Sequence, residues 1–267
     1  DFGDLTTNQK AGNATSNGTN ERGIVMGGTN SGYLNIISYF TINSPGNSTD
    51  FGNLSAGGRS YTHNAFSNGT NDRCVLWGGI GPSGPQTIDY VTVSTTGNAT
   101  DFGDEISATQ PAPSGYWWNV ADCTSNGKSE RGVHAGGDSS GDTAIIQYIT
   151  INTAGNSVQI GNLTTASSPG ATSSGVGDRG VFFGINPSKG TIDYMTISSS
   201  ANAADFGDLT DTGMGFQNSQ VNSSTRGLFA ASNTPTNLDV IDYITIATVG
   251  NGTDFGDLSV ARQGVGG

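Results

Sequence analysis

A five-residue phrase recurs six times along this 267-residue chain, and that period restricts the fold more than any other property of the sequence. It reads DFGDL at Asp1, DFGNL at Asp50, DFGDE at Asp101, QIGNL at Gln159, then DFGDL at Asp205 and Asp254. Successive copies start 49, 51, 58, 46 and 49 residues apart, nearer the length of a propeller blade than of a helical repeat. The repeats are then 1–49, 50–100, 101–158, 159–204 and 205–253, with a partial copy over 254–267, all within a single domain.

Aligning the copies exposes three further phrases in fixed order. SNG stands at Ser16–Gly18, Ser67–Gly69 and Ser125–Gly127, the Asn-Gly pair that a two-residue hairpin prefers. An acidic-Arg-Gly segment follows: ERGIVMGG from Glu21, DRCVLWGG from Asp72, ERGVHAGG from Glu130, DRGVFFGI from Asp178 and the looser TRGLFAAS from Thr225. Then comes a β-branched run around a tyrosine: ISYFTI from Ile37, IDYVTV from Ile88, IQYITI from Ile146, IDYMTI from Ile192 and IDYITI from Ile241. A Gly-Asn pair, read as the turn, leads into the next DFGDL, read as a short fourth strand. No segment carries a 3.6-residue apolar period, and Gly or Ser recurs too often for helix interiors. Four antiparallel strands per repeat, stacked face to face, predict an all-β, five-bladed propeller. A ring protects the sheet edges that an open stack leaves free. The leading DFGDL and the tail Ser259–Gly267 are surplus to five blades. Closure of five blades with a surplus strand is the favoured count, and an excised piece of an array of six or more is the alternative.

Composition supports an ordered, turn-rich β protein. Only 33% of residues are hydrophobic and 42 are Gly, but the apolar residues fall in short, regularly placed runs. The net charge of −12 excludes the cationic face that a nucleic acid or an anionic membrane needs. No apolar stretch approaches a membrane span. Two cysteines, Cys74 and Cys123, sit at different places in their repeats, so the repeat symmetry does not support a bridge. Ten of the 22 acids, Glu105 included, belong to the DFGDL phrases. Most of the nine N-x-S/T sequons fall inside repeat phrases, where turn geometry accounts for the Asn.

The four-strand order resembles the kelch repeat: glycine pairs (Gly27-Gly28, Gly78-Gly79, Gly136-Gly137), then a tyrosine, then an aromatic at Phe51, Phe102, Phe206 and Phe255. Phe stands where the kelch family has Trp, and repeats four and five lose the double glycine, so the chain is kelch-like. The wording IDYITIATVGNGTDFGDL from Ile241 and ERGVHAGG from Glu130 is similar to repeats of marine bacteriophage virion and tail-appendage proteins. That resemblance implies a virion or extracellular location and a non-enzymatic structural or receptor-binding role. A host-surface glycan or protein and other virion proteins would be the partners.

Little in the residues points to catalysis. DFG lacks every other part of a kinase, and five copies cannot each be one catalytic centre. The paired aspartates (Asp1/Asp4, Asp101/Asp104, Asp205/Asp208, Asp254/Asp257) offer hard-oxygen ligands, but the ligand density of calcium loops is missing, so no cofactor or metal is expected. The chain has two His, His63 and His134, and His134 occupies an apolar strand position. The arginine series Arg22, Arg73, Arg131, Arg179 and Arg226 recurs once per repeat and reads as a structural brace between blades. Recognition should fall where the repeats differ. The third repeat carries a surplus, ISATQPAPSGYWWNVADCTSNG, with Tyr116, Trp117 and Trp118, and Tyr61 and His63 occupy the comparable stretch of the second. These five are the candidate ligand-binding residues, since exposed aromatic rings stack on sugars and anchor protein interfaces. A purely architectural module and a propeller glycosidase are the competing readings.

Overall fold

The computed structural model describes residues 1–16, 21–60, 64–67, 69, 72–81, 86–106, 123–125, 130–137, 142–175, 177–184, 190–211, 219–233 and 237–262. It is an all-β, five-bladed propeller of four-stranded antiparallel blades. The first blade holds β1 (Asn13–Thr15), β2 (Arg22–Met26), β3 (Ile36–Thr41) and β4 (Thr49–Asn53). The second holds β5 (Asn64–Phe66), β6 (Arg73–Trp77), β7 (Thr87–Thr92) and β8 (Thr100–Asp104). The third holds β9 (Cys123–Ser125), β10 (Arg131–Ala135), β11 (Ile145–Thr150) and β12 (Val158–Asn162). β13 (Gly170–Ser173), β14 (Arg179–Phe183), β15 (Thr191–Thr196) and β16 (Ala204–Asp208) form the fourth. β17 (Ser219–Asn222), β18 (Arg226–Asn233), β19 (Asn237–Thr245) and β20 (Thr253–Arg262) form the fifth. Each sheet is a simple meander in chain order.

The core lies between blades, not within them. Ile24, Met26 and Phe51 of the first blade meet Leu76, Val91 and Val93 of the second. Phe66, Val75 and Trp77 meet Ile149 and Ile151 of the third. Val133, Ile146 and Leu163 then meet Phe182, Met195 and Ile197, and Phe183, Ile192 and Phe206 meet Phe229, Ile244 and Ile246. A middle blade is covered on both faces, which is why its second and third strands read as near-continuous apolar runs. The four described core clusters are these four seams.

Two local readings are corrected. The third strand reverses just before the Gly-Asn pair, through bonds such as Ser44 N–H to the Thr41 carbonyl (3.3 Å) and Thr153 N–H to that of Thr150 (2.9 Å). Gly-Asn is therefore not the turn; it runs on toward the fourth strand and serves the seam. The glycine of DFGDL, a residue type that also suggests a turn, lies within the fourth strand instead. Between Ile37 and Ser38 the register on β4 skips Phe51, a bulge that turns the Phe51 ring into the core. The double glycines do need their freedom: Gly78 and Gly79 stand at φ 57° and 113°. Where the fifth repeat has Ala-Ser instead, β18 runs on to Asn233.

Five blades are observed, and each surplus segment stays with the blade it adjoins instead of closing the ring. β20 is the fifth blade's own outer strand. Residues 1–6 lie on the first blade, where Gly46 N–H donates to the Phe2 carbonyl (2.7 Å) and Ser48 N–H to that of Asp4 (2.8 Å). Phe2 packs edge-on against Phe40.

Candidate functional site

Each seam is held by the same three devices, and between them they absorb the regular polar residues of the repeat. In the first, the DFGDL strand of one blade receives the Gly-Asn of the next. Gly97 N–H donates to the Phe51 carbonyl (2.8 Å), Ala99 N–H to that of Asn53 (2.8 Å), and Asn53 N–H to Asn98 Oδ1 (3.0 Å). Asn47, Asn156, Asn202 and Asn251 accept in the same way from Asp4, Asp104, Asn162 and Asp208. The approach is so close that a Cβ on Gly103 would stand 2.6 Å from the Gly155 carbonyl carbon and oxygen. The first aspartate of the phrase bonds within it, as Asp101 Oδ1 does in accepting from Gly103 N–H (3.0 Å).

The arginine series is the second device. Nη1 donates across the seam to a third-strand carbonyl: Arg22 to Val93 (2.9 Å), Arg73 to Ile151 (3.1 Å), Arg131 to Ile197 (3.2 Å) and Arg179 to Ile246 (2.9 Å). Each guanidinium also lies over the tyrosine of its own blade, 4.2–4.5 Å from the ring centre. Arg226 has the ring, Tyr243 at 4.3 Å, but is exposed and reaches no neighbouring blade among the described residues.

The third device escaped the sequence reading. The residue before each tyrosine (Ser38, Asp89, Gln147, Asp193, Asp242) is buried and polar. Its side chain takes up the residue that follows the preceding DFGDL. Thr164 donates its N–H (2.7 Å) and hydroxyl (2.8 Å) to Asp193, and Thr210 does the same to Asp242 at 2.7 Å. Ile106 N–H donates to Gln147 Oε1 (3.0 Å). Burial pushes the Asp193 carboxyl above its usual range, and the Thr164 bonds pull it partly back. The signal was present in the sequence: an acid repeating inside an apolar run must have a partner.

The seam between the second and third blades departs from this pattern. Glu105 fills the slot that Leu54, Leu163 and Leu209 fill elsewhere, so it belongs to the core and not to the acidic surface of the phrase. Trp77 Nε1–H donates to Glu105 Oε2 (2.9 Å). The Trp77 ring stacks on His134, at 5.5 Å and 19°, and His134 Nδ1 lies 3.2 Å from Gln147 Nε2. Nearby, the wholly buried Arg59 forms an ion pair with Asp89 and donates to the carbonyls of Gly78 (3.2 Å) and Thr87. Burial lowers the Arg59 pKa against the pull of Asp89. These groups are buried, the Arg59–Asp89 pair beside the first-to-second seam and the Trp77–Glu105–His134 group in the second-to-third.

The aromatic candidates Tyr116, Trp117, Trp118, Tyr61 and His63 all lie outside the described residues. In the sequence the first three stand between Ile106, next to Glu105, and the buried Cys123. Cys74 and Cys123 are both buried and are not bridged to each other. A groove of about 450 Å³ opens between the fourth and fifth blades, lined by Ser174, Asp178, Arg179, Thr196, Ser224 and Ile246. Its charges are committed: Asp178 accepts from Ser198 and Arg179 bonds the Ile246 carbonyl.

No family model matches the chain, and no curated protein matches it. Among 216 solved chains that resemble its fold is a novel fungal alcohol oxidase of the AA5 family, in complex with copper. The two share 13% identity at a TM-score of 0.67, over 97% of this chain and 56% of the oxidase. This chain therefore spans little more than half of that protein. Copper favours imidazole and sulfur ligands. Here one of the two His, His134, is stacked in a seam, and no group of three His, Cys, Asp or Glu comes together among the described residues. The described residues gather no copper ligand set, and His63 lies outside them. At this identity the likeness is one of fold, and a fold shared so widely carries many unrelated functions.

Proposed function

We propose that the chain is a non-enzymatic display scaffold of a virion or other extracellular appendage, and that it binds a host-surface glycan or protein through the insertion of its third repeat. One observation carries the reading. The regular arginines, asparagines and buried acids are spent on joining blades, while in the sequence the aromatic-rich surplus follows directly on Glu105, which stands where the other phrases have leucine and bonds Trp77. Tyr116, Trp117 and Trp118 bring rings suited to stacking on pyranose faces or to filling a protein pocket. The likeness of the repeat wording to marine phage appendage proteins supports the location.

The test is binding of the 267-residue chain to a glycan array and to intact host cells, repeated with Trp117→Ala and Trp118→Ala. The expected result is binding that either substitution reduces at least ~10-fold, the loss of a well-packed aromatic anchor, with unchanged thermal unfolding. A chain that binds nothing in either assay defeats the recognition role. The architectural reading, in which the blades only space a larger particle, then stands, and it is favoured by how completely the repeated polar residues serve the seams.

A further inference from the structure

The four seams share the same three joining devices, and the faces at the two ends of the blade series carry the same chemistry without a cover. On the fifth blade Phe255 is 55% exposed, where Phe51, Phe102 and Phe206 are 2–3% exposed. A Cβ added to Gly256 would meet nothing within 4 Å, whereas Gly52, Gly103 and Gly207 each face a neighbour's Gly-Asn. Arg226 is exposed, and Ser259 occupies the position from which Ser55, Thr164 and Thr210 reach the next blade's buried carboxylate. The chain beyond it instead runs on along β19, with Arg262 opposite Leu238.

The first blade presents the converse half. Ile42 is 47% exposed, where Val93, Ile151, Ile197 and Ile246 are 0–2% exposed. Its Gly46-Asn47 already holds Phe2 and Asp4, and Ser38 meets Thr6 at 2.5 Å, as if an outer strand were seated there without the rest of its blade. The innermost strands pack in series from β1 through β5, β9 and β13 to β17, and β17 makes no comparable contact with β1 among the described residues.

We propose that these two faces are docking sites for further blades of this same repeat, which extend the propeller beyond five. The occupant is specified by the four sealed seams. On the fifth blade it brings a Gly-Asn pair to Phe255–Asp257, a third-strand carbonyl to Arg226 and an Asp, Gln or Ser to Ser259. On the first blade it brings three inner strands that take residues 1–5 as their fourth and cover Ile42. A second copy of this chain fits the first-blade face poorly, because its β20 would have to displace residues 1–5 from Gly46-Asn47.

The experiment compares three proteins: the 267-residue chain, the same chain with a copy of residues 164–204 joined directly before Asp1, and the same chain with a copy of residues 210–258 in place of 259–267. Ile42→Cys reports on the first face and Phe255→Cys on the fifth. The native thiols are a silent background, since burial pushes Cys74 up to about 12. Each reporter should react with a thiol reagent at the rate of a solvent-exposed cysteine in the 267-residue chain, and should become as slow as Cys74 when its face carries the added repeat, the protein remaining a monomer by light scattering. Slow labelling in the monomeric 267-residue chain would mean that five blades close on themselves. Slow labelling in a dimeric one would make a second copy the occupant. An added repeat that stays unfolded, or folds without slowing its reporter, would also overturn the proposal. None of these outcomes bears on the glycan assay, so the two proposals fail separately.

Discussion

Replacing Arg131 and Arg226 separately by alanine tests whether the arginine series acts between blades or within them. Arg131 donates to the Ile197 carbonyl of the fourth blade at 3.2 Å and lies 4.2 Å from the centre of the Tyr148 ring. A hydrogen bond from a charged donor contributes about 1.5–3 kcal/mol. Because Arg131 is half-buried, the lower end applies. The ring contact adds about 0.5–1 kcal/mol at a partly exposed site. Arg131→Ala should therefore cost about 2–2.5 kcal/mol. Arg226 is exposed and keeps only its own ring, at 4.3 Å from Tyr243, so Arg226→Ala should cost about 0.5–1 kcal/mol. For a chain of this size, the difference of about 1.5 kcal/mol places the Arg131→Ala melting temperature about 3–6 °C below that of Arg226→Ala. Thermal unfolding followed by far-ultraviolet circular dichroism reads the gap, and hydrogen exchange assigns the Arg131 loss to the seam of blades three and four. Arg131→Lys should recover little, because an ammonium lacks the flat, stacked donor plane. Equal melting temperatures for the two alanine variants would refute the reasoning, since the cross-seam bond is the difference between the sites.

Gly103→Ala should be strongly destabilising, by about 3 kcal/mol or more, because a disfavoured positive φ (144° here) is compounded by a backbone clash with Gly155. Gly256→Ala, at φ +140° but in open space, should cost only about 1–2 kcal/mol, and urea titration of the pair measures the clash alone. The raised Asp193 carboxyl favours the protonated form in the folded state, so its contribution is present below the usual carboxylate range and lost as pH rises through the folded value. Asp193→Asn should thus unfold at higher urea than the parent at neutral pH, with the gap closing under acid, and a gap that widens as pH falls would reverse the sign. Cys74 should resist iodoacetamide at pH 8 until the chain is unfolded, as mass spectrometry of the intact protein would show.

Strand order and blade number were legible because they are local. An RG-led apolar run and a tyrosine-centred β-branched run each specify a strand within a few residues; the Asn-Gly pairs of the SNG phrases lie outside the described residues or at their edge. A charge kept in every repeat drew attention to the arginines, of which Arg22, Arg73, Arg131 and Arg179 bond across a seam and Arg226 does not among the described residues. Partnership across about fifty residues was not legible. Gly-Asn read as a turn because that pair usually makes one, and only the packed blades bring Asn98 to the Asn53 amide. Asp89, Asp193 and Asp242 lay unread inside apolar runs, and Arg59 went unnoticed because it has no counterpart in the series that drew attention. Glu105 was grouped with its phrase, although a single change at an apolar slot alters the whole seam around Trp77.

The joint between DFGDL and Gly-Asn consists of main-chain donors and acceptors, one asparagine amide and a glycine that leaves room for them. Such a joint scarcely reads side chains, so this one contact does not discriminate between blades. Exchange of whole repeats leaves it intact, and the choice of neighbour then falls to the packed side chains that fill each seam.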